Sequence, residues 1–327
     1  MKQSFFRVVR LFFTGFAMGI ADLIPGVSGG TVAFLSGIYE ELLVSIKSIT
    51  GRSLKYVLKG EIKYALRSVP YRFLVPLALG LFTAIFTLAK VLSHLLRNYP
   101  TFVFAFFFGL VLASVWVVLK RVVKWDTSDK VSFVTAAILA YSVVGLIPIE
   151  TPNTPLAIFL SGSIAVCAMI LPGISGSFIL LLLGKYQQIL AAVTQRDIVT
   201  IGIFMGGCVI GLSLFARFLM WLFRNHHDIS IAILAGVMLG SMRKIWPWQE
   251  VVSTRINSHG EHVPFMMKNT LPSLSDPTLL PVILLGVGGS LVVLALERLH
   301  ITKEHVSDVH DPRFVREHRE ALQKEIK

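Results

Sequence analysis

Charge is what this sequence has least of. Only 15% of its 327 residues are Asp, Glu, Lys or Arg, where a soluble domain carries about 25%. With 54% hydrophobic residues and a mean hydropathy of +0.71, the chain lacks the polar surface needed to coat soluble domains of this length. A disordered chain is excluded by the same numbers. Cysteine is nearly absent: Cys167 and Cys208 both lie in apolar runs, so neither a disulfide framework nor a zinc site can be built. His94, His226 and His227 stand at helix ends without a metal-ligand constellation. No glycine cluster is followed by Gly-Lys-Ser/Thr, which argues against a nucleotide-binding loop and ATP-driven pumping. No cofactor or metal is expected. The fold class that remains is an all-α, polytopic membrane protein.

What charge there is leans one way, with 31 Lys and Arg against 19 Asp and Glu. Apolar stretches of membrane-spanning length fall near 74–96, 102–119, 131–149, 198–222, 229–242 and 279–299. Two longer stretches, 5–46 and 156–193, are each interrupted by a Pro-Gly-x-Ser-Gly cluster and read as broken or re-entrant hairpins. Lys2, Arg7 and Arg10 stand at the N-terminal end of the first hairpin, and Lys47, Arg52, Lys55, Lys59, Lys63, Arg67 and Arg72 follow it. By the positive-inside rule both of its ends are cytoplasmic. Lys120, Arg121, Lys124 and Lys130 place the next loop inside, and the second hairpin then enters from outside. The expected location is the bacterial cytoplasmic (inner) membrane, multi-pass, with N- and C-termini cytoplasmic. Arg243 and Lys244 fall on the wrong side for the rule. The cations thus serve orientation, and no nucleic-acid partner is expected.

The chain repeats itself. Ala21–Gly30 aligns without gaps to Ala168–Ser177, an offset of 147, and the register runs on to Ile46 and Val193 with nine identities in 26 positions. Among them are Pro25/Pro172, Gly26/Gly173, Ser28/Ser175, Gly29/Gly176, Gly37/Gly184 and Tyr39/Tyr186. A second register at offset 127 pairs Gly80/Gly207, Lys90/Arg217, Arg97-Asn98/Arg224-Asn225 and Gly109/Gly236. Three single spans separate the hairpins, and an odd number of crossings inverts the second copy. Inverted-topology repeats with broken helices are a transporter architecture whose site lies where the breaks meet. The expected organisation is a first repeat over 1–130, a linking span over 131–149 and a second repeat over 150–245. An external loop with the last span follows over 246–299, then a cytoplasmic tail over 300–327.

Irregular backbone survives in a bilayer only when buried in protein or lining a cavity. Pro25, Gly26, Ser28, Gly29, Gly30 and Thr31 supply a kink, free N–H groups and hydroxyls. Pro172, Gly173, Ser175, Gly176 and Ser177 supply nearly the same set. Two helix starts facing each other suit one phosphate. Lys90 and Arg217, cations inside apolar spans at equivalent places, are the expected neutralising charges. Asp22 is the lone acid deep in the first hairpin and the first suspect for a coupling H+ or Na+.

At these residues the chain resembles a bacterial family of polyprenyl-phosphate (undecaprenyl-phosphate) translocases, formerly a membrane domain of unknown function. The resemblance rests on Met18–Thr31, Gly37-Ile38-Tyr39-Glu40, Leu171–Ser177 and Gly240–Trp248, and covers residues 10–300. It implies return of undecaprenyl phosphate from the outer to the inner leaflet for reuse in cell-wall synthesis, a transport activity with a polyprenyl-phosphate lipid as partner. Prenyl-pyrophosphate phosphatases also carry a Pro-Gly-x-Ser motif, but theirs continues with Arg-Ser and has an upstream Glu pair. Here Gly29-Gly30 and Gly176-Ser177 follow instead, so no catalytic residue is assigned. A small-anion carrier would use the same hairpins.

Overall fold

The computed structural model describes the chain except Met1, Pro25, Ile147, Pro148, Glu150, residues 257–261, Leu274 and residues 305–327. Pro25 and most of the tail assigned to 300–327 therefore lie outside the described residues. The first hairpin is α1 (Lys2–Asp22), α2 (Gly29–Leu35) and α3 (Tyr39–Lys47). A π-helical turn and two short helices, α4 (Leu54–Leu58) and α5 (Ile62–Arg67), lead to α6 (Tyr71–Asn98), α7 (Pro100–Leu119) and α8 (Thr127–Val144). The second hairpin is α9 (Pro155–Ile170), α10 (Gly176–Leu182) and α11 (Tyr186–Gln195). Then come α12 (Ile198–Asn225), α13 (His227–Ser241), a 3-10 turn (Met242–Ile245) and α14 (Leu279–Glu304). Among the described residues, α6, α7, α12 and most of α14 are each long and apolar enough to cross a membrane. The chain is an all-α, polytopic membrane protein with one departure. Part of the loop read as external forms an antiparallel hairpin, β1 (Gln249–Ile256) and β2 (His262–Asn269).

Each sequence break is made by local chemistry. Gly26 and Gly173 take φ of +89° and +91°, and Gly37 and Gly184 take +70° and +66°. These are left-handed conformations that a Cβ disfavours. Each hairpin therefore has two breaks, where the sequence reading placed one. The elbow at Gly184 turns α10 and α11 through 106°. Ser28 starts α2 as its N-cap, accepting from the Gly30 N–H at 3.1 Å. Asp126 and Asp129 form a reciprocal capping box at the start of α8, which satisfies two of its otherwise orphaned end groups.

The repeat seen in the sequence is repeated in the packing. Helix α1 lies along α6 as α9 lies along α12. A side chain on Gly80 would overlap the carbonyl of Phe12, and one on Gly207 would overlap the carbonyl of Phe159. Gly15 meets Leu77 as Gly162 meets Phe204. All four matches obey the offsets of 147 and 127. Small residues let membrane helices approach this closely, and dispersion between the backbones then holds them. Helix α7 packs on α14, with Gly109 against Gly286, as α13 packs on α8, with Gly236 against Phe133. The span read as a link (131–149) and the last span (279–299) thus hold equivalent places.

The first hairpin occupies the centre. Phe34, Tyr39 and Leu43 are buried in one apolar cluster with Leu77, Val118, Ala216, Leu219, Phe223 and Met238. The end of α2 is closed by two cations from elsewhere in the chain. Arg121 donates to the carbonyls of Phe34 and Leu35 at 3.0 and 2.9 Å, and Arg10 donates to that of Ser36 at 2.8 Å. Cations at a helix C-terminus satisfy its orphan carbonyls and its dipole. Arg7 pairs with Glu41 beside them.

The second hairpin is tied differently. Lys185, fully buried, donates to the carbonyls of Thr151 and Pro152 at 3.0 and 2.9 Å and to Asn153 Oδ1 at 2.6 Å. This cation lies inside the stretch 156–193 that sequence reading treats as apolar.

Candidate functional site

The two hairpin tips touch. Ser28 Oγ donates to the Leu171 carbonyl at 3.3 Å, and Tyr39 OH donates to the Ile170 carbonyl at 3.2 Å. A side chain on Gly30 would stand 2.7 Å from the Ile170 carbonyl oxygen. Two segments 131 or more residues apart are thereby joined through backbone at the end of α9. Tyr39 itself is packed edge-on against Phe34, with ring centroids 5.2 Å apart.

The tips are alike in backbone and unlike in charge. At the first, Asp22 Oδ1 accepts the Gly29 N–H at 2.7 Å, and the Ser28 hydroxyl accepts that of Gly30. The donors that sequence reading offers to a phosphate are therefore already held by the chain's own side chains. Thr31 Oγ1 is buried and has no hydrogen-bond partner among the described residues. At the second tip Met169 stands where Asp22 would be, and Ser175 makes no capping bond. Its hydroxyl lies 2.8 Å from that of the exposed Ser177. Gly29 and Gly176 are both buried. A Cβ on Gly173 would run into Ser241, which together with the buried Pro172 fixes the path of the second break.

Lys90 and Arg217 are not brought together against the tips. Both are exposed. Lys90 shares a groove of about 390 Å³ with Ala89, Ser93, His94 and Arg97, all from α6, and no tip residue lines it. Arg217 approaches Gly51, in the π-helical turn at the base of the first hairpin. Each cation sits on the outer face of its own helix.

A different cation reaches the tips. The side chain of Lys244, in the 3-10 turn after α13, covers Gly26, where an added Cβ would come 2.8 Å from Lys244 Cγ. Its Nζ lies 5.1 Å from the ring centre of Phe178, the residue after Ser177. Lys244 thus spans from the first tip to the second, and no carboxylate pairs with it among the described residues. The turn is braced by the β-hairpin: Gln249 donates to the Lys244 carbonyl at 2.9 Å, Asn269 donates to that of Arg243 at 2.8 Å, and Trp246 Nε1 donates to that of Thr270 at 2.8 Å. Arg243 is directed elsewhere, donating to the Tyr141 carbonyl at 3.1 Å with its guanidinium 4.5 Å from that ring. The signal for Lys244 was present in the sequence as the pair of cations on the wrong side for the positive-inside rule.

Repeated broken hairpins meeting inside an apolar helical bundle define the class as a membrane transporter-like protein. The signature of the VCA0040-like family, described as undecaprenyl phosphate translocase-like, matches residues 18–263, and the chain belongs to that family. It is 44% identical over 305 residues to the polyprenyl-phosphate transporter of Vibrio cholerae serotype O1, covering 91% of this chain and 99% of that one. It is 30% identical over 255 residues to the polyprenyl-phosphate transporter of Staphylococcus aureus, covering 71% of this chain and 84% of that one. No solved structure matches the chain.

Proposed function

We propose that this chain carries undecaprenyl phosphate from the outer to the inner leaflet of the bacterial cytoplasmic membrane, returning the carrier to cell-wall synthesis. Two relatives named polyprenyl-phosphate transporters, covering most of its length, support the substrate class. The observation that carries the reading is the meeting of two broken hairpins through Ser28 and Tyr39. Polar tips at a helix break can receive a phosphate head while the isoprenoid tail stays in lipid. The outer-to-inner direction is what the family resemblance implies, and the loop cations add only the reading that both termini are cytoplasmic. Asp22 is the group we assign to coupling with H+ or Na+, since it is the acid held at a tip.

The reading excludes hydrolysis as the main activity, because no arginine follows either Pro-Gly-x-Ser segment to stabilise a transferring phosphoryl group. The test is reconstitution of the purified chain in vesicles with undecaprenyl phosphate added to the outer leaflet. Accelerated loss of outer-leaflet phosphate without release of inorganic phosphate is expected. Phosphate release would move the chain to the phosphatases, and unaccelerated movement would overturn the transport reading.

A further inference from the structure

We propose that Lys244 is the residue that anchors a phosphate monoester between the two hairpin tips. The argument starts from charge. A half-buried ammonium in an apolar surround is costly unless an anion offsets it, and Lys244 has none among the described residues. Its neighbours are a left-handed glycine, an aromatic face and apolar side chains. Its stem is held over Gly26, and its ammonium lies 5.1 Å from the Phe178 ring centre on the other tip. Polar groups next to it in sequence or on the Phe178 tip can add donors for a dianion. The Ser175 and Ser177 hydroxyls precede Phe178 on the same tip, and Trp248 Nε1, four residues beyond Lys244 in sequence, is buried with no acceptor among the described residues. Charge-assisted hydrogen bonds from such donors to phosphate oxygens are about twice as strong as neutral ones. Arg243, by contrast, is spent on Tyr141.

This assignment rests on the transport reading, and its test separates the two. Binding of undecaprenyl phosphate in nanodiscs and of inorganic phosphate in solution is measured for the wild-type chain, Lys244→Gln and Lys244→Arg. Vesicle transport is measured on the same proteins. Lys244→Gln is expected to weaken lipid-phosphate binding at least tenfold, with Lys244→Arg recovering most of it. Inorganic phosphate that competes for the wild-type site, and not for Lys244→Gln, identifies the phosphate group itself as the ligand. Failure to compete assigns recognition to the lipid as a whole and overturns the monoester anchor. Unchanged lipid binding by folded Lys244→Gln also overturns it, even where transport by the wild type holds. Absence of transport by the wild type with Lys244-dependent binding would overturn the transport reading alone.

A second inference comes from an asymmetry between the repeats. Helix α3 packs on α12, where Tyr39 and Leu43, 2% and 0% exposed, meet Ala216, Leu219 and Phe223. The offsets make Tyr186 and Leu190 of α11 the mates of Tyr39 and Leu43, and Ala89, Leu92 and Leu96 of α6 the mates of the α12 residues. Those mates do not come together as their counterparts do. Leu190 is 37% exposed, and Ala89 and Leu92 line open grooves of about 390 and 400 Å³. Helix α11 packs instead on α12. We infer that the chain has a second state in which Tyr186 and Leu190 seat on Ala89, Leu92 and Leu96, while α3 leaves α12. The exchange would cover Ala89, Leu92 and Leu96 and uncover Ala216, Leu219 and Phe223, which is how a repeat pair alternates access.

Cysteine pairs test it in a chain with Cys167 and Cys208 replaced by Ala. Leu43→Cys with Leu219→Cys reports this state, and Leu92→Cys with Leu190→Cys reports the other. In membranes both pairs are expected to cross-link in variants that remain folded and transport when reduced. Locking the first pair should abolish transport and, in the four-cysteine chain, prevent the second link. A transporting variant whose Leu92/Leu190 pair never links would overturn the exchange, as would full transport with the first pair locked.

Discussion

The Tyr39 hydroxyl donates to the Ile170 carbonyl at 3.2 Å, joining the return arm of the first hairpin to the last residue of the long arm of the second. Tyr39 is 2% exposed, so water cannot replace the bond. Substitution Tyr39→Phe keeps the ring packing and orphans the carbonyl. A loss of roughly 1–3 kcal/mol in stability is expected, the usual penalty for an unsatisfied buried acceptor. Thermal unfolding in detergent would measure it, and an unchanged midpoint would show that the tips are not joined here.

Close approach of α1 to α6 and of α9 to α12 depends on glycine at equivalent places. Gly80→Ala and Gly207→Ala would each force a methyl into a backbone carbonyl, and each should destabilise by about 1–3 kcal/mol or more as the helices part. Gly202→Ala is the control, since among the described residues nothing beyond its own stretch of helix lies within 4 Å of its added Cβ. It should be neutral or stabilising through helix propensity. Equal losses at Gly80 and Gly207 with none at Gly202 are the expected pattern in unfolding curves.

Lys185 holds three acceptors of the 151–153 segment at once. Lys185→Met keeps much of the volume and removes every donor. Faster hydrogen exchange in the α10–α11 elbow and the 151–153 turn is expected, along with a stability loss of about 1–3 kcal/mol. Retained protection in that region would assign the elbow's shape to Gly184 alone.

Asp22→Asn preserves an oxygen able to accept the Gly29 N–H while removing the charge. Asn caps a helix start about as well as Asp, so the fold should persist with a change in stability under about 1 kcal/mol. Transport by this variant should lose its response to an imposed proton or sodium gradient. A response equal to wild type would show that the coupling group lies elsewhere.

At the acid end of helix α13, Asp228 is partly desolvated, which raises its pKa, but the Val123 and Lys124 N–H groups and His227 outweigh this and hold it below the ordinary carboxylate range. A depressed carboxylate contributes stability above its unfolded pKa, and that contribution is lost as pH falls through the lower folded value. Asp228→Asn should therefore flatten the acid limb of the stability curve below about pH 4. An unchanged limb would show that this contact contributes nothing measurable.

Much of this architecture was legible in the residues. Low charge and long apolar runs gave the membrane class because a bilayer accepts little else. The offsets of 147 and 127 paired Gly80 with Gly207 and Gly109 with Gly236, and the packing then showed which carbonyls these glycines face. The second break at Gly37 and Gly184 was visible only as a matched pair of identities, because one glycine in an apolar run has no distinct periodicity. The β-hairpin escaped because the polar stretch between α13 and the last span reads as one long loop.

The sequence by itself determined the repeat and the broken hairpins, properties written in local pattern and spacing. Only the tertiary structure decided which cation serves which hairpin. Arg10 and Arg121 close α2, Lys185 ties the second elbow, and Lys244 reaches both tips, while Lys90 and Arg217 face outward despite their symmetric places. Long side chains act on whatever the fold brings near them, and those partners lie tens to hundreds of residues away. Symmetric sequence also leaves open which hairpin seats on its opposite helix. Packing settles that, because two equivalent seats need not be filled in the same conformation.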